Sequence, residues 1–183
     1  MKKTPQSRDS KITRERLLEI LSYDRLTGVF IWKERARDQF KSDRELNRWN
    51  TRYSGKPAGT PNQDGHILIN ISKTQFLAHR LAWLYVHGEW PTGQVDHWDV
   101  NPSNNVISNL REATHSQNLA NRGPRRTSKS GVKGVHLRDS RWIAQIYANG
   151  KKRHLGSFNS MEAATSAYSR AAVEFHGEFA RLK

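Results

Sequence analysis

Residues 95–122 read VDHWDVNPSNNVISNLREATHSQNLANR, and this stretch decides the fold that the sequence predicts. Its 28 residues hold six asparagines and one adjacent acid–histidine pair, Asp96-His97, with little apolar periodicity. The segment Gln94–His97 predicts a short strand, and an asparagine-rich loop follows it. Thr114 and Gln117 then have the spacing of a capping box that begins a helix. Because packing alone does not account for this composition, we interpret the stretch as a candidate site.

The net charge of the chain indicates a polyanionic partner. The 183 residues contain 31 Lys and Arg against 17 Asp and Glu, which gives a formal net charge of +14. Residues 122–183 alone carry 13 basic and 4 acidic side chains. A field of this sign favours phosphate contact and counterion release. We therefore expect nucleic acid as the partner, rather than a basic surface that serves solubility alone.

The composition also excludes several classes of protein. The chain has no Cys, which removes disulfides, thiol nucleophiles and thiolate zinc sites. No apolar run reaches membrane-spanning length, and the start, MKKTPQSRDSK, lacks the apolar core of a secretion signal. We expect a soluble, intracellular protein with no membrane partner.

The chain before the central stretch predicts a mixture of helices and strands. In chain order these are a helix capped by Thr13, a strand at Val29–Trp32, a hairpin over Gly65–Leu77 and a helix at Ala78–His87 that Gly88 ends. Residues 33–56 are charged and poorly periodic. Two interpretations of them stay open, a long loop or arm over DNA and a solvated linker.

After the central stretch, residues 123–130 combine chain breakers with basic charge and predict a linker. Asn149-Gly150 is a tight-turn signal between the last two of three predicted strands, which are Gly134–Arg138, Trp142–Ala148 and Arg153–Phe158. A helix with a face of small residues follows, with Asn159 as its N-cap, Glu162 in capping-box spacing and Gly177 at its end. The predicted fold class is α+β, in two parts.

The donor atoms of the central stretch suit a cation and a base. Asp96 offers a carboxylate, and Asn118, in the first turn of the predicted helix, offers an amide oxygen; both are donors that Mg²⁺ accepts. A neutral imidazole on His97 can deprotonate water. From helical spacing, Arg122 lies one turn beyond Asn118 and would clamp a phosphate. Asn109 and the other loop asparagines are also explained as turn residues, because Asn tolerates left-handed backbone.

The order of strand, asparagine-rich loop and capped helix resembles the HNH endonucleases, whose ββα-metal motif has these parts. The chain is most similar to the phage homing-endonuclease branch, in which Asp-His opens the motif, a loop Asn precedes Leu and a helix Asn replaces the final His. Asp96-His97, Asn109-Leu110 and Asn118 match these three elements. HRLAW at His79–Trp83 and NLREAT at Asn109–Thr114 are similar to that branch as well.

This resemblance implies a single-metal mechanism. Asp96 and Asn118 would bind one divalent ion, Mg²⁺ or Mn²⁺, and His97 would be the general base for an attacking water. Asn109 would hold the loop and orient His97. We interpret His79 as a structural residue that ties the hairpin to the following helix, and leave His66 as a surface or core residue.

Two positions depart from that branch. Val100 stands where relatives usually have Gly, and Trp98 is bulky beside the proposed base. These departures motivate an alternative, a catalytically degenerate DNA-binding regulator on an HNH scaffold. An RNA-binding or RNA-cleaving protein is a further alternative, motivated by charge alone.

Residues 131–183 resemble the DNA-binding domain of the plant APETALA/ethylene-response-factor (ERF) type. The residues that carry the resemblance are GVKGVHLRDSRWIAQI, KRHLGSF and EAATSAYSRAAVEFHG. In that family a three-stranded sheet lies in the major groove, and alternate strand residues reach DNA. The resemblance implies DNA contacts for Lys133, His136, Arg138, Gln145, Tyr147, Lys152 and His154. Several of these differ from the residues of the family, so base preference does not carry over.

Together the resemblances divide the chain into an N-terminal helix, strand and basic arm (1–56), an HNH nuclease core (57–122), a linker (123–130) and an APETALA/ERF-like domain (131–183). They imply an endonuclease that nicks or cleaves double-stranded DNA, of the free-standing phage homing type. Such a protein would act in the cytoplasm, that of an infected bacterial host if a phage encodes it. The target sequence and the oligomeric state stay open, and a monomer is compatible with the sequence.

Overall fold

A computed structural model describes residues 9–124 and 127–181 of the chain. These residues fall into two compact units that divide between Glu112 and Ala113. Residues 1–8, Arg125 and Arg126 of the predicted linker, and the last two residues lie outside the described part. The division precedes the predicted linker, so the helix that carries Asn118 belongs to the second unit.

The first unit combines helices with short strands. In chain order its elements are α1 (Arg14–Ile20), β1 (Leu21–Tyr23), β2 (Phe30–Trp32), α2 (Asp43–Tyr53), β3 (Thr60–Pro61), β4 (Ile67–Ile71), β5 (Thr74–Leu77), α3 (Ala78–His87), β6 (Gln94–His97) and β7 (Leu110–Ala113). The strands form the sheets β1–β2, β3–β4–β5 and β6–β7. The predicted helix α3 and strand β6 are confirmed with their predicted bounds.

The core of the first unit lies between α1, α3 and the sheets. Leu17 on α1, Leu81 on α3 and Ile69 on β4 are fully buried in one apolar cluster. Burial of a Leu or Ile side chain contributes about 1.5–3 kcal/mol to stability, so these contacts fix α3 against the sheets. α3 follows β5 directly and ends at Gly88, whose φ of 89° is left-handed. Its N-terminal turn is thereby held close to the end of a hairpin.

The prediction of a loop over residues 33–56 is wrong for Asp43–Tyr53, which form α2. Ser42 caps this helix by accepting a hydrogen bond from the Glu45 N–H at 3.3 Å. Trp49 packs edge-on against Trp32, with ring centroids 5.7 Å apart. The Ser-x-x-Glu spacing signalled the helix start, but the charged residues that follow obscured its apolar periodicity.

The second unit is a short helix followed by a sheet and a long helix. Its elements are α4 (His115–Asn121), β8 (Val135–Arg138), β9 (Arg141–Ala148), β10 (Lys151–Phe158) and α5 (Met161–His176). The three strands are antiparallel in the order β8–β9–β10, and the turn at Asn149-Gly150 has positive φ at both residues. α5 packs on the sheet face that carries Val135, Ala144 and Ile146.

The start of α5 differs from the prediction by one residue. Its N-cap is Ser160, whose side chain accepts from the Ala163 N–H at 3.2 Å, rather than Asn159. The α+β fold class is confirmed. Within the described ranges, no helix combines the length and apolar content needed to cross a membrane.

Candidate nucleic-acid cleavage site

Strand β6 ends in the two candidate residues Asp96 and His97. Each is only 5% exposed, although both are polar. Successive residues of a strand point to opposite sides. The two side chains accordingly have different partners, and those partners determine the chemical role that is open to each side chain.

Asp96 forms a buried ion pair with Arg111 in the neighbouring strand β7. Its Oδ2 accepts from Arg111 Nε at 3.0 Å and from Nη2 at 2.9 Å. The guanidinium also lies 4.4 Å from the ring centroid of Trp98, a residue that is 55% exposed. A buried carboxylate needs such a partner, so Arg111 fixes the orientation of the Asp96 side chain. Arg111 was not among the predicted site residues, because no local pattern links it to a residue 15 positions earlier.

His97 is held by Asn105. Its Nε2 lies 3.3 Å from Asn105 Oδ1, and Asn105 is itself buried. Because an amide oxygen only accepts hydrogen bonds, this contact assigns the proton to Nε2 and leaves the lone pair on Nδ1. Burial lowers the pKa of His97 below its usual value, while the hydrogen bond with Asn105 opposes the shift. The ring is therefore neutral at pH 7 and can accept a proton.

Asn109 braces the loop between β6 and β7. Its Nδ2 donates to Asp99 Oδ1 and to the Asn104 carbonyl, both at 2.9 Å, and its Oδ1 accepts from the Asp99 N–H at 3.0 Å. Its backbone carbonyl accepts from the Trp98 N–H at 2.9 Å. These bonds fit the predicted part of Asn109 in holding the loop. Its predicted catalytic role and its influence on His97 stay predictions. Asn105, which was not among the predicted site residues, contacts that ring with its side chain.

Val100 explains why a glycine suits this loop. Its φ is 63°, in the left-handed region that β-branched residues rarely adopt. The Val100 N–H donates to the His97 carbonyl at 3.0 Å, so the turn closes directly after the proposed base. The chain therefore keeps the loop conformation with a residue that disfavours it.

The predicted metal ligands fit a hard divalent cation in their chemistry. Asp96 supplies a carboxylate that is buried and fixed by Arg111, and Asn118 supplies an amide. Oxygen donors of these kinds suit Mg²⁺ or Mn²⁺. Asn118 lies in the first turn of α4, where its N–H donates to the Thr114 carbonyl at 3.0 Å. Its part as a second ligand stays a prediction.

Helix α4 is short and is held by residues far along the chain. The predicted capping box between Thr114 and Gln117 is confirmed, with both of its hydrogen bonds present. At the C-terminal end of α4, Lys133 Nζ donates to three backbone carbonyls. They belong to Leu119 at 2.7 Å, Ala120 at 2.7 Å and Arg122 at 3.0 Å. Phe179 joins Ala113 and Ala120 in a small buried cluster.

Two predicted DNA-contacting residues are placed differently from expectation. Burial lowers the pKa of Lys133 to about 8, so its amine is protonated at neutral pH, and it donates to the end of α4. Arg122 does not continue the helical face of Asn118, because α4 ends at Asn121 and Arg122 is its extended C-cap. A role for either residue in contacting DNA stays a prediction.

The structure brings the other six predicted DNA-contacting residues to one face of the sheet. In the register of the strands, His154 pairs with Gln145, Lys152 with Tyr147, and His136 with Ile143. Ile143, Gln145 and Tyr147 are alternate residues of β9, so all three pairs lie on the same face of the sheet. Residues paired across antiparallel strands share a face, and that face is opposite to α5. We call it the reading face, formed by His136, Arg138, Gln145, Tyr147, Lys152 and His154. Its residues are exposed except Gln145, which is half-buried.

Comparisons with known proteins agree with the geometry. A model of the HNH endonuclease family matches residues 76–120. The chain is 33% identical to Protein 3.8 of Escherichia phage T7 over 108 residues, which are 57% of this chain and 88% of that protein. It is 35% identical to the HNH endonuclease L560 of Acanthamoeba polyphaga mimivirus over 131 residues, which are 70% of this chain and 64% of the viral protein.

A different relative matches a shorter part of the chain. The AP2-like ethylene-responsive transcription factor TOE2 of Arabidopsis thaliana is 47% identical over 58 residues, 31% of this chain and 12% of the plant protein. This similarity is short, and it supports the APETALA/ERF-like interpretation only in part. No solved structure matches the chain.

Proposed function

Because this chain belongs to the HNH endonuclease family, we propose that it is a metal-dependent endonuclease that nicks or cleaves double-stranded DNA, of the free-standing phage homing type. The observation that carries the proposal is the setting of His97, a buried imidazole whose Nε2 faces an amide oxygen. This setting leaves a neutral base with one defined lone pair at the end of β6. The net charge of +14 favours the polyanionic substrate.

His97 accepts the proton of the attacking water. Asn105 keeps the ring from rotating and keeps its proton on Nε2, so Nδ1 is the nitrogen that takes the new proton. The imidazolium that forms is stabilised by the same amide oxygen. A base of this kind contributes typically about 10²–10⁴ in rate.

Asp96, oriented by Arg111, and Asn118 would hold one Mg²⁺ or Mn²⁺ ion. Bound there, the ion supplies Lewis-acid stabilisation of the charge on the leaving 3′ oxygen. Arg111 limits how far the Asp96 carboxylate can turn, and it compensates for the burial of that carboxylate. Asn109 keeps the loop that follows His97 in one conformation.

The reading face would bind the duplex and set the site preference. Its alternating side chains lie on one exposed surface of a three-stranded sheet, and that arrangement suits a groove. Arg138 and Lys152 are the two residues on it whose charge suits phosphate at neutral pH. This assignment rests on the resemblance to the APETALA/ERF domain and on the short similarity to TOE2.

The test is cleavage of supercoiled DNA with Mg²⁺, Mn²⁺ or EDTA, comparing wild type with His97→Ala. We expect nicking with either metal, none with EDTA, and a loss of about 10² or more in the variant, with gel-shift binding retained. His87→Ala is the matched control, because His87 is exposed on α3. Equal nicking by wild type and His97→Ala would remove His97 as the base.

A second candidate function is a DNA-binding regulator on the same scaffold. Its specific motive is Val100, which holds a left-handed φ of 63° immediately after the site. This function predicts salt-sensitive binding that does not depend on metal, and no cleavage. The experiment above separates the two, since binding without nicking under both metals would favour the regulator.

A further inference from the structure

Three histidines from separate elements converge beside the end of β6. His66 lies just before β4, His79 in the first turn of α3, and His97 at the end of β6. Their ring centroids are 5.2 Å apart for His66 and His79, 5.7 Å for His66 and His97, and 5.0 Å for His79 and His97. One ring nitrogen of each lies within 4.8 Å of the other two. We call this group the histidine cluster.

The cluster has the chemistry of a site for a borderline transition metal. Neutral imidazole is a preferred ligand of Zn²⁺, Co²⁺, Ni²⁺ and Cu²⁺, whereas Mg²⁺ prefers oxygen. Zinc binds nitrogen at about 2.0–2.1 Å, so its ligands lie about 3.4 Å from one another in a tetrahedron. The three nitrogens lie within 4.8 Å of one another, so the ligands would have to move closer by about an ångström as the ion binds. Structural zinc sites have four protein ligands, whereas three protein ligands leave a fourth position open to water or substrate.

Burial supports this assignment over simple packing of three rings. His79 is 5% exposed, and its Nδ1 is buried without a hydrogen-bond partner among the residues that the structure describes. Leaving such an atom unsatisfied costs about 1–3 kcal/mol, so its presence needs a reason.

We propose that His66, His79 and His97 bind one zinc-type cation at a site distinct from the Asp96 carboxylate, and that this ion suppresses cleavage. The two sites differ because Asp96 faces Arg111 while His97 faces the cluster and Asn105. The consequence for cleavage rests on the proposed function. A cation bound to the ring of His97 would occupy the imidazole that the proposed cleavage uses as its base. Zinc and the attacking water thus compete for the same side chain.

The first experiment measures binding without DNA. The full chain, without a histidine tag, is stripped with EDTA, dialysed and titrated with Zn²⁺ against a chromophoric chelator. We expect one equivalent to bind wild type and His87→Ala alike. In His66→Ala and His79→Gln the affinity should fall at least about tenfold. Thermal melting by circular dichroism checks that each variant is folded, and His66→Ala is the safer variant because His66 is only half-buried.

The second experiment adds Zn²⁺ to Mg²⁺-dependent nicking. Wild type should be inhibited as its site fills, and His66→Ala should need at least about ten times more Zn²⁺ for the same inhibition. Unchanged Zn²⁺ affinity in both folded variants, or no bound equivalent in wild type, would overturn the site. Histidine-dependent Zn²⁺ binding in a protein that never cleaves would keep the site and remove the proposed function. Cleavage that Zn²⁺ inhibits equally in wild type and His66→Ala would overturn the competition.

Discussion

The two units hold their candidate functional side chains in opposite ways. The first buries them, since Asp96 and His97 are each 5% exposed and each has a fixed partner. The second exposes them, since five of the six residues of the reading face are open to solvent. Groups that do chemistry benefit from a dry, preorganised setting, whereas groups that contact a duplex must reach out of the surface.

Asn118 does not follow this division of the chain. It is a candidate metal ligand, yet it lies in the second unit on a helix of seven residues. That helix depends on Lys133 and Phe179, which belong to the same unit as the reading face. A candidate part of the cleavage site is therefore built on the unit proposed to read DNA.

The largest expected effect comes from ending the chain at Pro124. This deletion removes Lys133 and Phe179, and an isolated helix of seven residues is marginal in water. We expect nicking to fall by about a hundredfold or more, because loss of the groups that position a metal ligand costs about 10- to 100-fold. Lys133→Met in the full chain should cost about tenfold while gel-shift binding persists. A truncated protein that nicks at the wild-type rate would show that α4 does not need residues 125–183.

Asp96→Ala and Arg80→Ala separate stability from chemistry within the first unit. Arg80 Nη2 lies 2.6 Å from Asp9 Oδ2, and that ion pair is almost as buried as the pair of Arg111 and Asp96. Removing one partner of a buried pair costs about 3 kcal/mol or more, so urea unfolding should show a similar loss for both variants. Only Asp96→Ala should lose nicking when both are assayed well below their unfolding midpoints. Loss of nicking in Arg80→Ala under those conditions would remove the distinction.

The pH dependence of cleavage tests the buried setting of His97. Its pKa is lowered, so nicking should persist at pH values just below about 6.5, the ordinary value for His, and decline only at lower pH. Asn105→Ala removes a contact that raises this pKa, so the acidic limb should shift further down while the maximal rate falls about tenfold.

Stability should follow the same sign. Because the folded pKa of His97 lies below the unfolded one, its contribution is complete above about pH 6.5 and is lost as the pH falls through the folded pKa. Thermal melts between neutral and acidic pH measure this loss. An acidic limb above pH 6.5 in wild type would contradict the buried neutral base.

The smallest effect is expected on the reading face. The side chain of Arg138 is 75% exposed, and it pairs with the 87% exposed side chain of Asp139, so Arg138→Ala should leave stability unchanged. If Arg138 contacts one phosphate, the slope of log affinity against log salt concentration should be about 0.9 less steep for Arg138→Ala than for wild type. The control is Arg170→Ala, an exposed residue on α5, the layer opposite to the reading face. Equal slopes for the two variants would argue against Arg138 as a contact.

The parts of the fold that the sequence predicted correctly are those with local signals. Gly88 ends α3 and Asn149-Gly150 turns β9 into β10, because each needs a left-handed backbone within a few residues. Thr114 and Gln117 cap α4 through bonds between residues three positions apart. α2 was missed although Ser42 has a capping signal, since its stabilising contacts with Trp32 and Arg35 come from another segment.

By itself, the sequence determined the α+β class, the strand that ends in Asp96-His97, and the alternation that places polar residues on one face of the second sheet. The tertiary structure alone decided which groups meet. It paired Asp96 with Arg111, turned Asn105 toward His97, bound Lys133 to the end of α4, and gathered His66 and His79 around the proposed base. The physical reason is range: caps, turns and alternation act over a few residues, whereas these contacts depend on how distant segments of the chain pack.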